Sequence, residues 1–431
     1  MKVLVIGAGG REHALAWKLV QSEGVTEVLV APGNAGTARQ AGLRNVDVAV
    51  DDFPGLVELA KTEQVGFTMV GPEMPLVAGV TDYFAEAGLA CFGPSRAAAQ
   101  LEGSKAFTKE FLARNDIPTA AYETFTEVDK ARAYVAAQGA PIVIKADGLA
   151  AGKGVVVAQT VAEADAAIID MLSDNSFGEA GSRVVIEEFL TGEEASFICL
   201  CDGKTAVPFA SSQDHKARDD GDKGPNTGGM GAYSPAPVID AAVHDRVMQQ
   251  VIEPTLAGMA ADGIPYVGFL YAGLMITPAG EPKVIEFNCR FGDPEAQPVM
   301  MRLQSDLLAA CQAALAGELA GMELAFDSRT ALGVVMAAGG YPQDYAKGDV
   351  ISGLDKELLD TAVFHAGTAL TEVDGASQCV TNGGRVLCVV GLGSSVRSAQ
   401  ARAYERVDLI GWRNRYFRKD IGHRAISRES A

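Results

Sequence analysis

The stretch that best indicates the fold of this chain is PIVIKADGLAAGKGVVVA, residues Pro141–Ala158. Its apolar ends, Pro141–Lys145 and Val155–Ala158, predict two short strands, and the glycine-rich segment between them predicts a loop. Because the second strand follows the loop at once, the stretch is a hairpin rather than a strand, a loop and a helix. It therefore differs from a Walker A loop, in which G-x-x-x-x-G-K-[ST] opens a helix.

Phosphate binding is the chemistry that this hairpin favours. Its glycines can bring backbone amides close to phosphate oxygens, and Lys145 at the end of the first strand would neutralise phosphate charge. The candidate phosphate-binding residues in the loop are Gly152, Lys153 and Gly154. The alternative is an ordinary mobile hairpin that binds nothing.

A second stretch, VIEFNCRFGDPE at Val284–Glu295, has the pattern of a metal-binding strand. Alternate residues of a strand share a face, so Glu286, Asn288 and Arg290 point one way and Phe287 points the other way. Carboxylate and amide oxygens suit Mg²⁺, and Arg290 beside the metal could stabilise charge on a transferring phosphoryl group. The alternative is a solvated polar face.

The first glycine cluster, which includes Gly9 and Gly10, follows the strand that begins the chain and opens a helix. Backbone amides at such a helix end bind phosphate. The dinucleotide fingerprint is broken, because its third glycine position holds Glu12. We therefore expect a phosphate of mononucleotide size, with a purely structural tight turn as the alternative.

An acidic run at Glu187–Glu194 follows an apolar strand. Such a hinge can offer backbone groups to a purine edge and a carboxylate to ribose hydroxyls. An ordinary acidic surface turn is the alternative.

The segment Ser211–Pro237 shows no helical or strand period. A structureless loop of this length inside a compact domain is uncommon and is functional or disordered. Its charges are of mixed sign and an Asn-Thr-Gly-Gly run follows them. This pattern favours a loop that folds over a small charged ligand.

Composition excludes some classes of function. The chain has 431 residues and a net charge of -19, with 36 Lys and Arg against 55 Asp and Glu. Such an acidic chain is a poor candidate for nucleic-acid or anionic-membrane binding, and no apolar run is long enough to span a membrane. The first residues resemble a strand rather than a signal peptide, and seven scattered cysteines suggest neither a zinc site nor a disulfide framework. We expect a cytoplasmic protein.

Three units are expected along the chain. Residues 1–103 alternate strands and helices, which predicts an α/β unit with a parallel sheet. Residues 104–326 carry the hairpin, the acidic run, the long loop and the metal strand. Residues 327–431 are expected to form a further small α/β or β-rich unit.

Taken in order, the lysine strand, glycine hairpin, acidic run and Glu-x-Asn-x-Arg strand resemble the ATP-grasp superfamily. Five motifs are similar to those of the phosphoribosylamine–glycine ligase family: GGREHA at 9–14, GPE at 71–73, the long loop at 214–235, NCRFGDPE at 288–295 and YFRKDIG at 416–422. The resemblance covers essentially the whole chain. It implies a pre-ATP-grasp domain at 1–103, an α+β ATP-grasp domain at 104–326 with a mobile lid at about 119–190, and a small α/β domain at 327–431.

The resemblance also implies a reaction. ATP would phosphorylate the carboxylate of glycine, and the amine of 5-phosphoribosylamine would attack the glycyl phosphate to give glycinamide ribonucleotide in purine biosynthesis. Mg²⁺ or Mn²⁺ would be the cofactor, and a monomer is expected. Because an acyl phosphate is labile in water, the glycine hairpin and the long loop are expected to close as lids.

Roles for single residues follow from the same resemblance. The residues implied for ATP are Lys105 and Lys145 at the phosphates, Glu187, Glu188 and Leu190 around adenine, and Glu194 at ribose. The implied metal ligands are Glu286 and Asn288. The catalytic candidates are Arg290, Asp214 and Asp293, the two aspartates facing the glycine ammonium or the ribosylamine. The substrate-binding candidates are Gly9, Gly10, His215 and Gly229.

The sequence leaves several other functions open. Another ATP-grasp ligase could use bicarbonate or formate, and a biotin-dependent carboxylase is a further alternative. From other classes, a nicotinamide-dependent oxidoreductase and a non-catalytic nucleotide sensor are also alternatives.

Overall fold

The structure is a computed structural model that describes residues 1–149, 154–173, 182–373 and 375–429. Within these ranges, no helix combines the length and the apolar character that crossing a membrane requires. Two candidates from the glycine hairpin, Gly152 and Lys153, lie outside the described residues.

The predicted N-terminal parallel sheet is confirmed, with strand order β3-β2-β1-β4-β5. Its strands are β1 (Lys2–Gly7), β2 (Glu27–Pro32), β3 (Leu43–Asn45), β4 (Val65–Val70) and β5 (Cys91–Phe92). The helices of this part are α1 (Gly10–Leu19), α2 (Ala35–Arg39), α3 (Phe53–Thr62), α4 (Glu73–Ala78), α5 (Val80–Glu86), α6 (Gln100–Gly103) and α7 (Lys105–Arg114).

The order of this sheet places a crevice at its carboxyl edge. Val3–Ile6 of β1 are fully buried, as expected for a parallel strand covered on both faces. The strand order reverses between β1 and β4, and ligands bind at such a reversal outside the carboxyl ends of the strands. Gly9 and Glu73 follow these two strands and lie at that edge.

The predicted glycine hairpin is confirmed within an antiparallel sheet of order β6-β9-β7-β8. Its strands are β6 (Tyr122–Phe125), β7 (Ile142–Ala146), β8 (Val155–Ala158) and β9 (Val184–Glu188). Two helices, α8 (Val128–Gln138) and α9 (Val161–Leu172), share one apolar cluster with this sheet.

A second antiparallel sheet, of order β11-β10-β16-β17, carries the predicted metal strand. Its strands are β10 (Glu193–Asp202), β11 (Ala206–Pro208), β16 (Val267–Ile276) and β17 (Pro282–Asn288). The helices nearby in sequence are α10 (Ala241–Val247), which continues through a π-helical turn (Met248–Ile252) into α11 (Glu253–Ala261), and α12 (Ala296–Arg302) and α13 (Leu307–Ala316).

The C-terminal part is built on a third antiparallel sheet, of order β12-β15-β18-β22-β19. Its strands are β12 (Gln213–Asp214), β15 (Gly231–Ser234), β18 (Thr330–Ala337), β22 (Arg385–Gly393) and β19 (Thr361–His365). Two ribbons accompany it, β13 (Ala217–Asp219) with β14 (Lys223–Asn226), and β20 (Thr368–Val373) with β21 (Ala376–Thr381). Its helices are α14 (Val396–Asp408) and α15 (His423–Glu429).

The expectation that Ser211–Pro237 is a loop without regular structure was wrong. The segment contains four short strands, and Gly231–Ser234 is fully buried because it pairs with β18 inside the third sheet. Strands of two to four residues are too short to show a period in the sequence. The third sheet therefore joins residues from both sides of position 326.

Candidate active site

A cavity of about 450 Å³ lies between the sheet that holds β7 and the sheet that holds β17. It collects most of the predicted site residues, although they come from distant parts of the chain. The predicted residues that line it are Lys105, Lys145, Gly154, Glu187, Glu188, Leu190, Glu194, Asp214, Glu286, Asn288, Arg290 and Asp293.

A smaller cavity of about 380 Å³ adjoins the first, and Gly9 lines it. The Gly9 N–H donates to Glu12 Oε2 at 2.6 Å, so in this structure that amide is occupied by the helix that it opens. In the described part of the chain, Gly10, His215 and Gly229 line neither cavity.

His215 is buried against the C-terminal segment rather than directed into a cavity. Its backbone pairs with Met230 and Gly231, and its Nε2 accepts a hydrogen bond from the N–H of Gly422 at 3.1 Å. Burial, together with the charge of Arg418, lowers the pKa of His215 to about 3. The ring is therefore neutral at ordinary pH and acts here as a buried hydrogen-bond acceptor.

Gly229 lies where two stretches of backbone meet. Its φ is +105°, and a Cβ at this position would lie 2.5 Å from Cδ of Pro294. Both facts require glycine. The glycine at this position, which the resemblance assigns to substrate, is thus required here by its contact with Pro294 of the same chain.

Two lysines flank the buried carboxylate of Glu187 at one wall of the larger cavity. Lys145 Nζ lies 2.9 Å from Glu187 Oε1, and Lys109 Nζ lies 2.9 Å from Glu187 Oε2. Lys105 Nζ donates to the carbonyl of Gly148 at 2.9 Å. Burial lowers the pKa of Lys105 below its usual value, although Glu286 acts against this. These cations form a wall suited to phosphate.

Lys109 is a cavity residue that sequence reasoning missed. Burial lowers its pKa to about 8 against the opposing charge of Glu187. A signal was present, because Lys109 follows Lys105 by four positions on α7 and residues so spaced share a helix face.

The metal strand brings Glu286 and Asn288 together as predicted, whereas Arg290 lies two residues beyond the end of the strand and reaches back to Asn288. Asn288 Nδ2 donates to Glu286 Oε1 at 3.5 Å, and Arg290 Nη2 donates to Asn288 Oδ1 at 2.9 Å. Burial alone would raise the pKa of Glu286, but Lys216, Lys145 and Lys105 outweigh it and lower that pKa. The carboxylate is therefore ionised and turned toward the cavity.

These donors fit a hard cation that takes part of its coordination from a ligand. Glu286 and Asn288 offer one carboxylate and one amide oxygen, and Mg²⁺ is commonly held by few protein ligands together with phosphates and water. Among the described residues, no group of three or more His, Cys, Asp or Glu side chains could hold a metal. The residues thus suit a metal that arrives with a phosphorylated ligand.

Comparison with known proteins agrees with this arrangement. Three family models match in order: the N domain of phosphoribosylglycinamide synthetase over residues 1–102, its ATP-grasp (A) domain over 103–296 and its C domain over 331–424. The phosphoribosylamine–glycine ligase of Allochromatium vinosum is 63% identical over 430 residues, and the match covers 100% of both chains. That of Vibrio cholerae is 62% identical over 432 residues with the same coverage.

The chain belongs to the phosphoribosylamine–glycine ligase family. A crystal structure of a family member from Thermotoga maritima has a TM-score of 0.82 and 34% identity, covering 98% of this chain and 100% of that one. The biotin carboxylase domain of the Hydrogenobacter thermophilus 2-oxoglutarate carboxylase has a TM-score of 0.71 at 16% identity, covering 96% of this chain and 91% of that one. At that identity the likeness shows the fold alone.

In this ligase, Arg290 is held by two carboxylates from the N-terminal part. Its Nε lies 3.2 Å from Glu73 and its Nη2 lies 2.9 Å from Glu102. Burial would raise the pKa of Glu73, but Arg290 and Arg11 lower it to about 2. Glu102 was not foreseen, since nothing in its local sequence points to Arg290.

Behind Asp214 lies a buried polar wall. The Ser196 Oγ and Tyr271 OH groups lie 3.1 Å and 2.9 Å from Glu295 Oε1. Burial raises the pKa of Asp214 to about 7, with Glu295 adding to the shift and Lys216 opposing it. Asp214 can therefore change its protonation state near neutral pH.

Asp293 lies where the two cavities meet, because it lines both. Arg385, at the start of β22, lies 2.7 Å from its carboxylate and was not foreseen from sequence. Burial would raise the pKa of Asp293, but Arg385 and Arg11 outweigh it and lower that pKa. The ligase thus has an ionised carboxylate at the junction.

Proposed function

We propose that this chain ligates glycine to 5-phosphoribosylamine, converting ATP to ADP and phosphate and forming glycinamide ribonucleotide. Membership of the family and the ATP-grasp domain support an ATP-dependent ligase. The observation that carries the proposal is that one cavity gathers a lysine wall, an oxygen-donor strand and the titratable Asp214.

We assign the lysine wall to the phosphates of ATP. Lys105 and Lys145 face the triphosphate, and Lys109 supports Lys145 through their shared partner Glu187. Backbone groups from Glu187 to Leu190 hold adenine, and Glu194 binds ribose. The position of Glu188 and Leu190 on the cavity lining supports this assignment.

Mg²⁺ or Mn²⁺ would be held by Glu286 and Asn288, since their oxygens suit a hard cation. When bound, such an ion neutralises phosphate charge and polarises the γ-phosphate. Arg290 lies beside these ligands, where its guanidinium can stabilise the charge on the transferring phosphoryl group.

The chemistry proceeds through an activated acyl group. A carboxylate oxygen of glycine attacks the γ-phosphorus, ADP leaves, and glycyl phosphate forms. The amine of phosphoribosylamine then attacks the acyl carbon, and phosphate leaves with the glycine oxygen that it received. Asp214 faces the glycine ammonium, and Asp293 faces the amine of phosphoribosylamine at the junction of the cavities.

We assign the smaller cavity to the phosphoribosyl group. Thr368 and Arg385 line it and offer hydroxyl and guanidinium groups, whereas the side-chain amide of Asn34 on the same lining donates to the carbonyls of Ala8 and His365. It opens beside Asp293, which places the amine of a bound phosphoribosylamine next to the site where glycine is activated. Gly9 also lines this cavity, although in this structure its N–H donates to Glu12.

An ADP-release assay with each substrate omitted in turn tests the proposal. ADP should form only when ATP, a divalent metal, glycine and phosphoribosylamine are all present, and glycinamide ribonucleotide should appear in equal amount. ADP formed with bicarbonate or formate, but not with glycine plus phosphoribosylamine, would favour another ATP-grasp ligase. ATP binding without substrate-dependent turnover would favour a sensor.

We further propose unit boundaries at 103/104 and 326/327, a lid at about 119–190, a monomeric state and a cytoplasmic location. The order of the three matched domains supports the units, and the seven free, buried cysteines suit a reducing compartment. Analytical ultracentrifugation with and without ATP would decide the oligomeric state.

A further inference from the structure

The motif YFRKDIG at 416–422 has no place in the chemistry above, and in the described part of the chain none of its residues lines either cavity. It lies instead against the β13–β14 ribbon, residues 217–226. The two ends of this ribbon reach the larger cavity, because Lys216 precedes it and Asn226 ends it.

Arg418 of this motif is a fully buried cation whose guanidinium donates to four oxygen atoms of three residues, two of them on the Asp420 carboxylate. Its Nη1 donates to the carbonyl of Ala217 at 3.0 Å, and its Nη2 donates to Asp222 Oδ1 at 2.9 Å. Its Nε donates to Asp420 Oδ1 at 2.9 Å. A buried charge is tolerated when it is paired and hydrogen-bonded in this way. Arg418 therefore ties both the start and the turn of the ribbon to the C-terminal segment.

Further bonds join the same two segments along their length. The Tyr416 hydroxyl lies 2.9 Å from Asp219 Oδ1 and 3.1 Å from the carbonyl of Arg218. The backbone N–H of Lys419 donates to Asp220 at 2.8 Å. The N–H of Gly221 donates to Asp420 at 2.8 Å, so the ribbon is anchored from both sides of its turn.

Hydrogen bonds at the base of the ribbon join two residues that line the larger cavity. The N–H and the hydroxyl of Thr227 both donate to the carbonyl of Lys216, at 2.8 Å and 2.9 Å. These bonds hold the two ends of the ribbon together, and both residues line the cavity. Lys216 Nζ lies 3.3 Å from Glu194 and 3.9 Å from Glu286.

We propose that Arg418 is a positioning residue for catalysis: through the ribbon it fixes Lys216 and Thr227 opposite the metal strand. The ribbon is then a fixed wall of the site rather than a lid. The inference rests on the proposed function, because the reaction is what Lys216 and Thr227 serve.

Arg418→Gln tests this, with Arg406→Gln as the matched control. Arg406 is also buried in the C-terminal part, but it donates to the carbonyls of Gly353 and Leu354, away from the ribbon. We expect Arg418→Gln to lower kcat/KM for glycine on the order of 10- to 100-fold, the loss that a small misplacement in an active site gives. The Kd of ATP, measured without glycine, should change less than kcat/KM for glycine, because Lys105 and Lys145, which are assigned to the phosphates, lie on other elements, although Lys216 reaches the proposed ATP site at Glu194.

A second readout does not depend on turnover. Amide hydrogen exchange in residues 217–228 should become faster in Arg418→Gln and stay as in the unmodified protein in Arg406→Gln. If Arg418→Gln fails to fold, Tyr416→Phe removes the hydroxyl bonds and should give smaller changes in the same directions. An unmodified protein without glycine-dependent ADP release would overturn the proposed function, while the exchange data would still decide whether Arg418 holds the ribbon.

A double variant tests whether Arg418 acts through the ribbon. Because Asp222 is its partner there, Arg418→Gln with Asp222→Asn should lose little more kcat/KM than Arg418→Gln alone. Equal losses of kcat/KM for glycine in Arg418→Gln and Arg406→Gln would overturn the proposal. Unchanged amide hydrogen exchange in residues 217–228 of Arg418→Gln would also overturn it.

Discussion

Arg385 and Asp293 form an ion pair of 2.7 Å at the point where the two cavities meet. Arg385 Nη1 also donates to the main-chain carbonyl of Asp293 at 2.8 Å and to the carbonyl of Gly228. One side chain from the third sheet thus fixes both the end of the metal-strand motif and the segment after the ribbon. The C-terminal part is therefore a structural component of the proposed active site.

Asp293→Asn should impair the use of phosphoribosylamine more than the binding of ATP. The substitution leaves Arg385 without its charged partner and removes the carboxylate assigned to the amine, and losing one member of a hydrogen-bonded charge pair costs about 2 kcal/mol, roughly 30-fold. We expect kcat/KM for phosphoribosylamine to fall by about that factor, while the Kd of ATP stays within about threefold. Steady-state kinetics with each substrate varied separately give the comparison.

The matched control is Asp327→Asn, which breaks a 2.7 Å pair with Arg329 away from both cavities. Asp327→Asn should leave kcat/KM for phosphoribosylamine and the Kd of ATP near those of the unmodified protein. If Asp293→Asn weakens ATP binding as much as it lowers kcat/KM for phosphoribosylamine, the assignment of Asp293 to the junction is wrong.

Asn288→Leu should abolish metal-dependent turnover while leaving the fold largely intact. It removes an oxygen donor and keeps a side chain of similar size. Loss of groups that only support a metal ligand costs 10- to 100-fold, so we expect more than about 100-fold here. Asn288→Asp, which retains an oxygen donor, should keep more activity. Near-normal ADP release by Asn288→Leu would remove this residue from the metal site.

The stability of the ligand-free protein should fall as Asp214 ionises. Burial raises the pKa of Asp214 to about 7, whereas an unfolded aspartate titrates near ~3.9. The folded state therefore binds more protons between these values, and the contribution of this group is full below about pH 4 and lost as the pH rises through about 7.

Thermal melts of the unmodified protein and Asp214→Asn from pH 4 to pH 8 measure this effect. The Tm of the variant relative to the unmodified protein should rise with pH, by on the order of 1–4 °C in total. A difference in Tm that does not change over this range would show that Asp214 is not a buried, titrating carboxyl group.

His13, from the GGREHA motif, should stabilise the contact between the N-terminal and C-terminal parts. Its Nδ1 accepts a hydrogen bond from the backbone N–H of His365 at 2.8 Å, and burial lowers its pKa to about 3, with His365 adding to the shift. His13→Ala leaves that N–H unpaired, which costs about 1–3 kcal/mol. We expect a lower Tm and a higher KM for phosphoribosylamine, because Thr368 of the smaller cavity follows His365 closely.

The control for this prediction is His244→Ala, since His244 is a partly exposed histidine on α10 that lines neither cavity. It should change neither the Tm nor the KM. An effect of His13→Ala on the KM of ATP but not on that of phosphoribosylamine would contradict this role.

The sequence was sufficient to predict those parts of the site in which the interacting residues are close together along the chain. Alternation along a strand was enough to place Glu286 and Asn288 together, and two apolar runs around a glycine loop were enough to predict the β7–β8 hairpin. Spacing along α7 would also have revealed Lys109, because its face is set by Lys105 four residues earlier.

Contacts between segments that are distant along the chain could not be predicted from the sequence in this way. Arg385 is 92 residues from Asp293, and no periodicity links two side chains that tertiary packing brings together. The strands within Ser211–Pro237 were missed for the same reason, because Gly231–Ser234 is ordered by pairing with Thr330–Ala337 rather than by its own sequence. His215 lies in a charged segment, yet tertiary packing directs its ring to Gly422.

The most direct test of the central claim follows the oxygen atoms of glycine. Glycine labelled with ¹⁸O at both carboxylate oxygens is incubated with ATP, a divalent metal, phosphoribosylamine and the protein, and the products are analysed by mass spectrometry. Activation through glycyl phosphate predicts one ¹⁸O in the released phosphate and one in glycinamide ribonucleotide. Release of unlabelled phosphate together with the product, or ADP formed without this product, would contradict the account.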